Sequence, residues 1–247
     1  MTMMLRKGCY VARFAQGDAD VIAAQRLRHA CFVTGAGRAD RPDGLDRDRF
    51  DAQCLHVLVE DAGGRLLACF RLLHLDSAVQ IGRSYAAQYY DLTALQGFAG
   101  PVLEMGRFCV HPDLRDPDVL RIAWGAITRF VDQSGVGLLF GCSSFAGTDA
   151  GVYANSFGQL QARHLAPVQW RPGVKAAEVV RFPAAPHDPA LALHRMPPLL
   201  RSYLGMGGWV SDHAVVDWTM NTLHVFTGVE IAAIPASRAR ALRAVAS

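Results

Sequence analysis

An α/β fold built on one mixed sheet is predicted by three observations in this 247-residue chain. Residues 103–145 read strand, helix, strand, an order that joins parallel neighbours through a right-handed crossover. Residues 55–73 read as two strands around Ala62-Gly63-Gly64, which is hairpin chemistry. Hydrophobic residues make up 51% and charged residues 19%, enough for a sizeable core, so a single domain is expected.

Each element has a local reason. Tyr10–Phe14 alternates as a first strand. Asp18 is a good N-cap for a helix over 20–32, where Val21, Ala24, Leu27 and Cys31 recur at helical spacing. Residues 35–51 are polar and rich in Gly, Pro, Asp and Arg, a loop long enough to suggest a functional segment. Residues 84–95 read as a helix. The central strand, 103–110, stops at His111-Pro112, because proline has no N–H for a ladder. Asp116-Pro117-Asp118 starts a helix running to Ser134, and 137–145 is apolar on both faces, as parallel pairing requires. Beyond it, 149–165 reads as helix, the proline-rich 167–198 as a surface excursion, and 199–204 as a short helix. Strands are expected at 214–218 and 223–231, and a last helix at 237–246.

The totals exclude several functions. A net charge of +3 without basic runs and interleaved aromatics excludes nucleic acid as a partner, while suiting an acidic protein or an anionic membrane face. The six cysteines are scattered, with no CxxC and no Cys/His cluster, the pattern of a reduced protein without a metal. No secretory signal opens the sequence, and no apolar run approaches the ~20 residues of a membrane span. The expected location is cytoplasmic, at most peripheral to the inner membrane.

Glu104 and Arg107 are the candidate catalytic charges, because both interrupt an apolar strand. In an unbroken strand they would face opposite sides. A bulge at Gly106 would slip the register and bring them to one face. The spacing leaves a catalytic pair open on equal terms with a structural reading, either a buried ion pair or two charges on an edge strand. Cys142, Ser143 and Ser144 lack a nucleophile elbow and read as buried strand residues. Tyr85, Tyr89, Tyr90 and Tyr153 offer proton donors or helix packing.

Val110-x-Pro112-x-x-Arg115 resembles the strand-to-helix junction of GNAT N-acetyltransferases, whose following glycines hold the coenzyme A pyrophosphate. Here Asp116-Pro117-Asp118 stand in that place. Proline removes a donor and the carboxylates repel phosphate, which points to an acyl donor without the nucleotide, such as the phosphopantetheine arm of acyl carrier protein. Glu104-x-x-Arg107-Phe108-x-Val110, Arg28-x-x-x-Phe32, Asp48-x-Phe50-Asp51 and Arg71-Leu72-Leu73 resemble acyl-homoserine-lactone synthases. A fuller resemblance, over about residues 20–230, is to the acyl carrier protein-dependent N-acyltransferases that make lyso-ornithine lipid. It rests on FDAQCLHVLVED (50–61), FRLL (70–73), LEMGRFCVHPDLRD (103–116), LLFGCSSFAGTD (138–149), PPLLRSYL (197–204) and DHAVVDW (212–218), in that order.

That resemblance implies a GNAT-like α/β fold: a mixed sheet with a splayed central parallel strand pair and helices on both faces. The core would span about 8–165, with 166–247 packed on it. It implies transfer of a 3-hydroxy fatty acyl group from acyl carrier protein to the α-amine of an amino acid, ornithine first, with glutamine, lysine and glycine open. No cofactor is expected beyond the donor's own phosphopantetheine. The expected site has Glu104 and Arg107 as catalytic residues, and Arg71, Asp48, Asp51, Arg28 and His56 at the substrate. Backbone groups of Phe108, Cys109 and Val110 would hold the thioester, and Trp124, Phe140 and Leu200 would line the acyl trough. Two alternatives are a lactone synthase using S-adenosylmethionine and a non-catalytic carrier-protein or lipid-binding module.

Overall fold

The computed structural model describes residues 4–35, 41–184 and 187–246. Part of the predicted loop 35–51 lies outside them. The chain runs β1 (Met4–Lys7), β2 (Tyr10–Phe14), α1 (Asp18–His29), β3 (Leu55–Glu60), β4 (Leu66–Leu75), β5 (Tyr90–Asp91) and β6 (Val102–Val110). It continues through α2 (Pro117–Ser134), β7 (Leu138–Ala146), α3 (Ala154–Arg163), β8 (Gly173–Val174), β9 (Val179–Arg181), α4 (Pro189–Arg195), α5 (Pro198–Leu204), β10 (Trp209–Asp217), β11 (Thr222–Glu230) and α6 (Ala236–Ala246). These residues form two compact units, and β6 passes from one to the other at Glu104.

The first unit holds the described residues up to His74, Met105–Gly135 and the helix from Ala236. Its strands follow the order β1-β2-β3-β4-β6. β3 and β4 pair antiparallel around the predicted turn, with His56 opposite Arg71. Helices cover both faces. Cys69 of β4 packs with Ala24 and Leu27 of α1, whereas the His74 ring, five residues on and therefore on the other face, meets Phe130 of α2. The ends of α2 follow the sequence signals. Asp116 accepts from the Asp118 N–H, Pro117 occupies the first turn, and Gly135 closes the helix at φ 61°. Gly125 of α2 lets α6 approach, since a Cβ there would lie 2.9 Å from Val245.

The second unit comprises Leu75–Glu104 and Val136–Pro235. Its ladder runs β6-β7-β11-β10-β9. The parallel pairing of β6 with β7 covers only Val102–Glu104 against Leu138–Phe140, as short as a splayed pair predicts. β11 then pairs antiparallel with the whole of β7, from Thr222 opposite Ala146 to Glu230 opposite Leu138.

Two elements differ from the sequence reading. Residues 84–95 form no α-helix but 3-10 turns at Ala86–Gln88 and Thr93–Gly97 on either side of β5. The Glu104 carboxylate takes the N–H groups of Tyr85 and Ala86, and Tyr90–Asp91 pair with β8, so tertiary partners outbid helix propensity. Nor is the proline-rich stretch an excursion. It supplies β8, β9 and α4, and Phe182 and Met196 are buried with Phe145, Phe157 and Leu200 in one core.

Candidate active site

In the first unit, six of the chain's charges close into a ring. Arg28 of α1 contacts Asp46 at 2.9 Å and Asp51 at 2.7 Å. Arg71 of β4 contacts Asp51 at 2.7 Å and Asp48 at 2.6 Å. Arg107 of β6 contacts Asp46 and Asp48, each at 3.1 Å. Each aspartate therefore bridges two arginines, and the charges cancel. His56 joins by its Nε2, 3.0 Å from the Asp51 carbonyl. Of the expected substrate-binding residues, Arg28, Asp48, Asp51, His56 and Arg71 are thus brought together with Arg107. Asp46, only 1% exposed, escaped the sequence reading, although its spacing two residues before Asp48 was the available signal.

Burial and pairing oppose one another here. Desolvation pushes the Asp51 carboxyl up, but hydrogen bonds from Arg28 and Arg71 outweigh it and hold it down at about 2. Asp48 is lowered in the same way: burial opposes, while Arg71 and Arg107 prevail. Burial lowers His56, only partly offset by its hydrogen bond to Asp51 and that residue's charge. Arg71, the fork expected for an amino-acid carboxylate, holds Asp48 through both Nη atoms. The ring is most open at Asp48, whose side chain is 22% exposed, and at Arg107, at 13%.

Arg107 has φ 52°, a left-handed conformation rare for a residue with a Cβ. The kink expected at Gly106 therefore falls one residue later, and two aspartates anchor the side chain it re-aims. Phe108 stacks on Phe70 at 5.4 Å, and Val110 accepts from the Cys31 thiol. Trp124 is buried on α2.

Glu104 belongs to the second unit. It is 4% exposed, and its two carboxylate oxygens accept the Tyr85 and Ala86 N–H groups, both at 2.8 Å. Tyr85 and Tyr89 hydroxyls lie 3.4 Å apart. Phe140, opposite Glu104 in the parallel register, stacks on Phe226. Leu200 sits in the separate core around Phe145 and Met196.

His224 was missed as well. The Tyr90 hydroxyl donates to its carbonyl at 2.8 Å and lies 3.2 Å from Nδ1, while Nε2 is buried without a hydrogen-bond partner among the described residues. Burial pulls its pKa down to about 4, against the Asp217 charge. A depressed histidine contributes stability that is whole above its ordinary value near 6.5 and is lost as pH falls toward 4. We expect about 3 kcal/mol to disappear over that window, with His56 and His213, both lowered by burial, acting in the same direction. Urea midpoints at pH 7, 5 and 4 measure the loss, and His224→Gln should flatten the slope.

Residues 27–125 match the acetyltransferase (GNAT) domain model. An L-ornithine N(alpha)-acyltransferase of Rhodobacter capsulatus is 37% identical over 227 residues, covering 87% of this chain and 88% of that protein. The chain belongs to the L-ornithine N(alpha)-acyltransferase family. A second member, from Rhizobium meliloti, is 30% identical across 90% of the chain and 80% of its own length. With the family comes the activity class: this is an N-acyltransferase. Two solved structures share the fold. FeeM, an N-acyl amino acid synthase from uncultured soil microbes, superimposes with a TM-score of 0.53 at 11% identity, covering 90% of this chain and 92% of its own. BjaI, a CoA-dependent acyl-homoserine lactone synthase, gives 0.51 at 17%, covering 92% and 82%.

Proposed function

We propose that the enzyme moves a 3-hydroxy fatty acyl group from the phosphopantetheine thioester of acyl carrier protein to the α-amino group of ornithine. Ornithine is the substrate named for the family members above. The observation that carries the donor assignment is the start of α2. There the Asp116 carboxylate occupies the Asp118 N–H at 2.8 Å, and Pro117 has no N–H to give. A helix start already holding an anion is a poor seat for a pyrophosphate.

The α-amine, with a pKa near 8, must lose a proton before it attacks. Glu104 receives that proton through water and orients the ammonium beforehand, its own position fixed by two backbone donors. The nitrogen lone pair adds to the thioester carbonyl, whose oxyanion takes hydrogen bonds from the backbone of Phe108–Val110. The C–S bond then breaks, and the sulfur leaves as the thiol with the proton that the attacking nitrogen still has to lose. The acceptor meets the charged ring at its open edge. Its carboxylate exchanges with Asp48 for the guanidiniums of Arg107 and Arg71, and its side-chain ammonium takes the released aspartate. Arg28, Asp51 and His56 hold this edge in place.

Purified enzyme offered 3-hydroxyacyl groups on acyl carrier protein or on coenzyme A, with ornithine, glutamine, lysine or glycine, tests both halves by product mass spectrometry. We expect N-acylornithine, and kcat/KM about 100-fold higher with the carrier protein, equivalent to about 2.7 kcal/mol of transition-state binding. Equal use of coenzyme A would overturn the donor. A lactone formed from S-adenosylmethionine would overturn the acceptor.

A further inference from the structure

Three of the six cysteines, far apart in sequence, meet in the first unit. Cys69 on β4 and Cys109 on β6 have their sulfurs 3.5 Å apart. Cys31, in the π-helical turn Ala30–Thr34 that follows α1, packs against the cluster that holds Cys69 and Cys109 and donates to the carbonyl of Val110, the residue after Cys109, at 3.4 Å. All are free thiols. The acyl-transfer chemistry derived above uses none of these side chains.

Burial as small hydrophobes accounts for Cys69 and Cys109, which are 1% and 5% exposed. It does not account for Cys31, which is only partly buried and packs against the cluster of the other two. The Cys109 thiol outweighs burial and lowers the Cys31 pKa, enriching the nucleophilic thiolate. Cys109, beside both neighbours and buried, is pushed the other way.

We propose that Cys31 is a modification site for hydroperoxides and that Cys109 resolves it into a reversible Cys31–Cys109 disulfide. In the first step the Cys31 sulfur attacks a peroxide oxygen and the O–O bond breaks. Sulfur loses two electrons and becomes a sulfenic acid, and the departing oxygen leaves as water or an alcohol. In the second step the Cys109 sulfur attacks the sulfenic sulfur, the S–O bond breaks, and the oxygen leaves as water with the Cys109 proton. Two thiols and one hydroperoxide give one disulfide, one water, and a second water or an alcohol.

Fully reduced, full-length protein exposed to hydrogen peroxide at neutral pH, then alkylated and peptide-mapped, is the test. We expect a Cys31–Cys109 cross-linked peptide about 2 Da lighter than its two reduced halves, reversed by dithiothreitol. Dimedone added during a wild-type time course should label Cys31 first, and Cys109→Ala should make that label persist. Cys31→Ser should leave Cys69 and Cys109 reduced under the same dose. The exposed Cys9 is the internal comparison. Oxidation of Cys9 while Cys31 stays reduced would overturn the proposal, as would a Cys69–Cys109 disulfide that forms in Cys31→Ser. The wild-type time course reads the same answer should a substituted chain fail to fold.

Discussion

Replacing Asp51 by alanine is expected to cost about 3–5 kcal/mol, because it opens the charged ring and leaves two buried guanidiniums each short of a carboxylate. Asp51 lies 2.7 Å from both Arg28 and Arg71, whose side chains are only 1% and 3% exposed. Water cannot replace the lost partner at that depth. Against a total stability of about 5–15 kcal/mol, the loss consumes a large share, and the melting temperature should fall by about 10 °C. The exposed pair Arg121–Asp118, at 2.5 Å with side chains 68% and 55% exposed, provides the contrast. Asp118→Ala, apart from its backbone role at the helix start, should change stability by less than about 1 kcal/mol. Denaturant melts of both variants decide the matter. An Asp51→Ala protein within about 1 kcal/mol of the parent would show that the ring is not a unit. Asp46→Ala should be non-additive with Asp51→Ala, since both carboxylates hold Arg28.

A buried ring of this kind is a poor way to gain stability, because packed apolar side chains of similar volume do as well or better. What it supplies is position. It ties α1, the loop after it, β4 and β6 to one set of atoms, and it holds Arg107 at φ 52°, where an unsupported arginine would relax. The proposed acceptor contacts at Asp48 and Arg107 thus stand on a base that resists displacement.

Much of this was readable in advance where the cause is local. The start of α2 follows from Asp116-Pro117 and its end from Gly135, the hairpin from Gly63-Gly64, and the parallel pair from the strand-helix-strand order. The failures share a different cause. Residues 84–95 have helical spacing, but Glu104 and β8, both distant in sequence, claim their backbone groups. Arg28, Asp48, Asp51, Arg71 and Arg107 were each identifiable, yet nothing in their spacing says that they close on one another through Asp46. The cysteines show the same limit. Scattered along the chain they read as isolated small hydrophobes, and only the pairing of β4 and β6 beneath α1 makes three of them neighbours.

Removing the carboxylate of Glu104 is expected to lower acyl transfer by about 100- to 10,000-fold, the usual range for a general base. The choice of substitution matters because Glu104 also does structural work. Both of its oxygens accept backbone N–H groups, from Tyr85 and Ala86. Glutamine would place an amide NH₂ against one of those donors, leaving a buried clash worth about 1–3 kcal/mol. Alanine would free both donors and loosen the turn at Ala86–Gln88. Loss of activity alone therefore cannot separate chemistry from folding. The separating measurement is kcat/KM against pH for Glu104→Gln, taken well below its melting temperature. If Glu104 removes the proton, the variant should become slow at neutral pH and recover as rising pH deprotonates the amine unaided. If Glu104 only holds the turn, the loss should be flat in pH and scale with the fall in stability. A folded glutamine variant with near-parental kcat/KM at neutral pH would remove Glu104 from the reaction.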